Sequence, residues 1–75
     1  MPNKKAYLDL VRDVLAAVEA DLIDPVTGNF KTQPDLTDDA ALIEAVEAAY
    51  QAHGGVISDN VRKVIAGVVA VLAIA

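Results

Sequence analysis

Acid–base or nucleophilic chemistry in this chain would have to start from one histidine, His53, and from the aliphatic hydroxyls of Thr27, Thr32, Thr37 and Ser58. A histidine beside a carboxylate, here Glu47 or Asp39, is the usual general base or metal ligand. His53 stands directly before Gly54-Gly55. That is the last turn of a helix, where the dipole and the free carbonyls accommodate a histidine in a capping or packing role. Ser58 and Thr37 each open a polar-then-apolar run, the position of an N-cap. No serine–histidine–acid constellation can be assembled from capping residues.

Metal chemistry has a similarly thin basis. Asp21, Asp24, Thr27, Asn29 and Asp35 bring hard oxygens to one stretch, which is calcium chemistry in type. The spacing is wrong for the twelve-residue calcium loop: with Gly28 as its invariant glycine, Ile23 would fall on the first ligand position. These residues suit Asx and proline turns instead. With no cysteine there is no thiolate, disulfide or Cys-based zinc site. The glycines at 28, 54, 55 and 67 form no phosphate-binding loop, and no Gly-Lys-Ser/Thr occurs. No catalytic, cofactor-binding or metal-ligating residue is therefore assigned, and the expected protein is not an enzyme and takes no cofactor.

Charge narrows the partners. The formal net charge is −5, and Asp38, Asp39, Glu44 and Glu47 crowd one segment with no cation among them. Such a segment discourages phosphate backbones. A helix-turn-helix is formally possible around Gly54-Gly55, but its reading helix would offer Asn60, Arg62 and Lys63 and then only apolar residues. No nucleic acid partner is expected. The acidic run suits a solvated face first and a basic partner second. The opening MPNKKAYLDL carries lysines, but Asp9, Arg12 and Asp13 interrupt its apolar run, so it does not read as a signal peptide.

The elements that would position these residues are helical. Residues 3–23 carry Leu8, Val11, Leu15, Val18 and Leu22 at spacings of three and four, which predicts one apolar stripe, widened by Tyr7, Leu10 and Val14. Asn3 is the expected N-cap, and Lys5, Asp9 and Arg12 are spaced for ion pairs. Asp24-Pro25 ends the helix. Residues 24–36 form a loop framed by Pro25 and Pro34, with a turn at Thr27-Gly28-Asn29. It reads as a small hairpin or a strap anchored by Val26 and Phe30. Residues 37–53 predict a second helix capped by Thr37, with Ile43, Val46, Tyr50 and His53 on one face, broadened by Leu42, Ala45 and Ala49. Residues 58–75 predict a third, capped by Ser58. The expected architecture is all-α: a small three-helix bundle in one domain, with a long Pro/Gly loop between the first two helices.

The third helix decides the class of function. After Lys63 come twelve residues with no charged or polar side chain, Val64 to Ala75. That is about 18 Å of helix, short of the roughly 17–20 residues that span a bilayer. Val61, Ile65, Val68, Leu72 and Ala75 predict the core face, while Val64, Val69, Val71 and Ile74 cover the others. Gly67 weakens this helix by about 1 kcal/mol or permits a close helix crossing. Two neighbouring helices cannot cover a helix that is apolar almost all round. The expected role is a non-catalytic structural or assembly subunit that self-associates through this helix, with Val64, Val68, Val71, Leu72, Ile74 and the loop residue Phe30 as contact residues. A homo-oligomer or larger assembly, in a virion, a filament or the cytoplasm, is the setting this predicts. The alternatives are a small membrane-associated or phage lysis-type protein and a small partner-binding regulator.

Overall fold

The computed structural model describes residues 3–33 and 35–74. The chain folds as an all-α three-helix bundle: α1 (Lys4–Leu22), α2 (Asp39–Ala52) and α3 (Asp59–Ile74). Ala75, expected on the face of the third helix, and Pro34, expected to frame the loop, lie outside the described residues.

Each helix begins where a side chain can satisfy a free backbone N–H. Asn3 caps α1, its side-chain oxygen accepting from the Ala6 N–H at 2.7 Å. On α3, the Ser58 Oγ accepts from the Val61 N–H at 3.3 Å. The cap of α2 differs from expectation. Asp38 holds that place, accepting from the Ala40 N–H at 2.7 Å. Thr37 instead turns back, and both its N–H and its hydroxyl donate to Asp35, at 3.0 and 2.7 Å. A carboxylate two residues earlier competes for the threonine, and the aspartate beside it is an equally good cap.

The connection between α1 and α2 turns back on α1 at once. Ile23 and Phe30 form an antiparallel bridge, the Lys31 N–H reaches the Leu22 carbonyl at 2.9 Å, and the Gly28 N–H reaches the Asp24 carbonyl at 2.8 Å. Gly28 takes φ +73°, the left-handed conformation this turn requires. Phe30 packs half-buried against the core, as an anchor should, but Val26 is 91% exposed and anchors nothing. The second anchor is Leu36, which is buried. At the end of α2, Gly54 takes φ +89° as the left-handed stop, and Gly55 lies so close under the Tyr50 ring that a Cβ there would collide with it.

The core is made of small and medium aliphatic side chains. Val14, Val18 and Leu22 of α1 meet Leu42 and Val46 of α2 and Val61, Ile65, Val68 and Val69 of α3. Two assignments change. On α1 the buried stripe is Val14, Ala17, Val18 and Leu22; Leu8 and Leu15, expected within it, are 63% and 45% exposed. On α3, Val69 is buried and Leu72 is only half-buried. Tyr7 Oη lies 3.5 Å from Asn60 Oδ1, joining the N-terminal ends of α1 and α3. Val11 and Leu15 lie beside Val64 and Val68 further along, so these two helices run in the same direction. This places Leu15 and Ala16 at about the height of Gly67 and Val68.

Candidate functional site: an apolar face on two helices

The polar candidates resolve into surface pairs and caps. His53 Nε2 lies 3.1 Å from Asp21 Oδ1. A carboxylate only accepts, so in this bond the ring nitrogen carries the proton. The pair sits beside a shallow cleft of about 520 Å³ that also includes Asp13 and Tyr50. No serine or threonine lines that cleft. Thr27 and Ser58 accept from the backbone of their own turns, and Thr37 donates to Asp35. The Asp21–His53 pair therefore has an orienting carboxylate and no nucleophile beside it. Its partner is neither Glu47 nor Asp39. Glu47 lies 3.7 Å from Arg62, which also approaches Asp59 at 3.8 Å. Among the described residues no charged or polar side chain is buried, and no cluster of three or more metal-ligating side chains occurs.

Asp35 has a displaced ionisation. The N–H of Thr37, and then its hydroxyl, stabilise the carboxylate and hold its pKa below the ordinary aspartate value. This is the chemistry of a loop turn on the surface.

The apolar surface is organised differently. Val11 and Leu15 of α1 and Val64, Gly67 and Val71 of α3 line a groove of about 390 Å³, with Val68 and Leu72 in its floor and Lys63 as its one charged residue. A second groove of about 430 Å³ shares Val11 and Leu15 and continues to Leu8, with Arg12 and Glu19 at its margin. The two form one face along α1 and α3. Leu8 and Val71, on opposite helices, are each 63% exposed. Monomeric proteins seldom leave a contiguous apolar area of this kind in water.

Four of the expected contact residues, Val64, Val68, Val71 and Leu72, line this groove. Val68 is itself buried and serves the core as well. Ile74 is 87% exposed near the far end of α3, outside the groove lining. Phe30 is on another side, over the junction of the loop with α2 and the end of α3. The unexpected half of the face is Leu8, Val11 and Leu15. A signal for it exists in the sequence: at 100° per residue the large apolar positions of α1, from Leu10 round to Leu8, span about 160°, well beyond the ~100° stripe that a bundle helix needs. Among the described residues no helix is long and apolar enough to cross a membrane. Comparison with protein-family models, with curated proteins and with solved structures finds no match for this chain.

Proposed function

We propose that this protein is a non-catalytic assembly subunit that self-associates through the joint face of α1 and α3. The observation that carries the reading is the continuity of that face: exposed Leu15 on one helix meets exposed Val71 on the other across an apolar groove, and the adjoining groove extends the face along α1 to exposed Leu8. Aliphatic surface shared by two rigid helices gains free energy when a complementary surface removes it from water. The hydroxyls of Thr27, Thr37 and Ser58 and the histidine, engaged in caps, turns and a surface pair, support a structural role over a catalytic one. A multi-copy setting, a virion, a filament or a cytoplasmic oligomer, fits a small subunit of this kind.

Light scattering on detergent-free protein tests the reading. The expected result is an assembly larger than one chain that dissociates on dilution. Val71→Asp places a charge in the groove while leaving the core untouched, so it weakens association by roughly tenfold or more with the helical circular dichroism retained. Ile65→Asp is the contrasting control, because Ile65 is fully buried and its loss unfolds the chain. A monomer at every concentration overturns the proposal, as does recovery of the protein only as monomers bound to phosphatidylcholine–phosphatidylglycerol vesicles.

A further inference from the structure

The margin of the apolar face carries an ordered set of charges. Arg12 of α1 and Lys63 of α3 stand toward its N-terminal end, and Glu19 of α1 stands two turns beyond Arg12. Arg12 makes only a loose 3.7 Å contact with Asp9 on its own helix. Among the described residues, neither Lys63 nor Glu19 has an ion-pair partner. Because α1 and α3 run in the same direction, the face is electrically polar along its length, positive at one end and negative at the other.

We infer that the occupant of this face is a second copy of the chain, laid antiparallel about a two-fold axis that crosses α1 near Leu15 and α3 near Gly67. This rests on the assembly reading above and specifies its partner and geometry. The axis lies in the plane of contact, perpendicular to the helices, so each helix faces its own counterpart running the other way. Arg12 then meets Glu19 of the second copy, and symmetry repeats the pair. Lys63, at the seam between the helices, approaches the same glutamate. Helix dipoles oppose head to tail, which adds to the attraction.

The parallel alternative, with the axis along the helices, sets α1 against α3 of the second copy at equal heights. Arg12 and Lys63 then converge as like charges, and Glu19 faces the apolar end of α3. Charge complementarity therefore selects the antiparallel pair, since juxtaposed like charges suppress the wrong docking.

Gly67 supplies an independent reason for the position of the axis. It sits in mid-helix, and a Cβ there would meet nothing within 4 Å, so no packing among the described residues calls for a glycine. On the axis, two glycines face each other and the α3 backbones approach closely. Val64 and Val71 lie about equally far on either side, so Val64 of each copy faces Val71 of the other across the interface.

The chain has no cysteine, so single-cysteine variants report geometry without background. Val64→Cys and Val71→Cys proteins, one of them labelled with nitrogen-15, are mixed in equal amounts, oxidised by air and weighed by mass spectrometry. The expected product is the mixed 64–71 disulfide, in roughly tenfold excess over the 64–64 and 71–71 species. Predominance of the two symmetric disulfides overturns the antiparallel arrangement. Light scattering of the unmodified protein is expected to give a closed dimer. An open series of larger species overturns the two-fold inference while the assembly reading stands, and a monomer at all concentrations overturns both. Glu19→Arg is expected to weaken the dimer about tenfold at low salt, and the triple variant Arg12→Glu, Lys63→Glu, Glu19→Arg to restore it. Equal affinity of the Glu19→Arg variant and the unmodified protein overturns the charge argument.

Discussion

In the proposed dimer, Gly67 sets folding against association. In an exposed helix interior, glycine is less favourable than alanine by about 0.8–1 kcal/mol. The space around it is open, so Gly67→Ala costs nothing in packing within the chain. The isolated subunit should therefore gain about 0.5–1 kcal/mol in denaturant unfolding at low concentration. The same methyl group stands where the backbones of two α3 helices would meet, so the dimer should weaken by several-fold or more in sedimentation equilibrium. Opposite signs in the two measurements are the expected signature. A gain in both would show that no backbone approaches this residue. The sequence alone raised both roles for Gly67; the open space around it removes an intramolecular crossing from consideration.

At the scale of elements, the helices were readable because caps, periodicity and breakers agreed with one another. Asn3, Asp24-Pro25, Gly54-Gly55 and Ser58 mark boundaries by local chemistry that packing does not override. Faces were harder to read. Leu8, Val11 and Leu15 have the spacing of a core stripe, but so do Leu10, Val14 and Val18, and periodicity cannot rank two adjacent stripes on one helix. Only the positions of α2 and α3 decide which is covered. The start of α2 was ambiguous for a related reason, since Asp35, Thr37 and Asp38 can each bond neighbouring backbone. The observed pattern predicts that Asp38→Ala costs about 1 kcal/mol in chemical denaturation and Thr37→Ala less. It also sets the sign of a pH effect. Asp35 is more acidic folded than unfolded, so its contribution is fully present above the unfolded pKa and is lost as pH falls through the lower folded value. An NMR titration of the Asp35 carboxyl should therefore have its midpoint below the ordinary aspartate value, with the Thr37 amide shifting in step.

For the whole molecule, the deciding quantity is how little a core of this composition buries. No aromatic side chain is among the fully buried residues, and Phe30 and Tyr50 only lean against the cluster. Valine and alanine pack closely but each removes modest area from water, and a domain of this size buries little more than about 60% of its unfolded surface. Conformational entropy takes nearly all of that gain. The chain has no disulfide to restrict its unfolded state. Covering the α1–α3 face adds burial without ordering much further backbone, because both helices are already formed. Association and folding should then be linked by mass action. In calorimetry, a roughly hundredfold dilution should lower the unfolding midpoint by about 5–10 °C if the dimer is the species that melts. Val71→Asp should lower the midpoint at every concentration, toward that of the lone subunit. A midpoint independent of concentration in the unmodified protein would mean that the three helices are sufficient for themselves. The exposed Leu8, Leu15 and Val71 would then have to be explained by something other than a second copy.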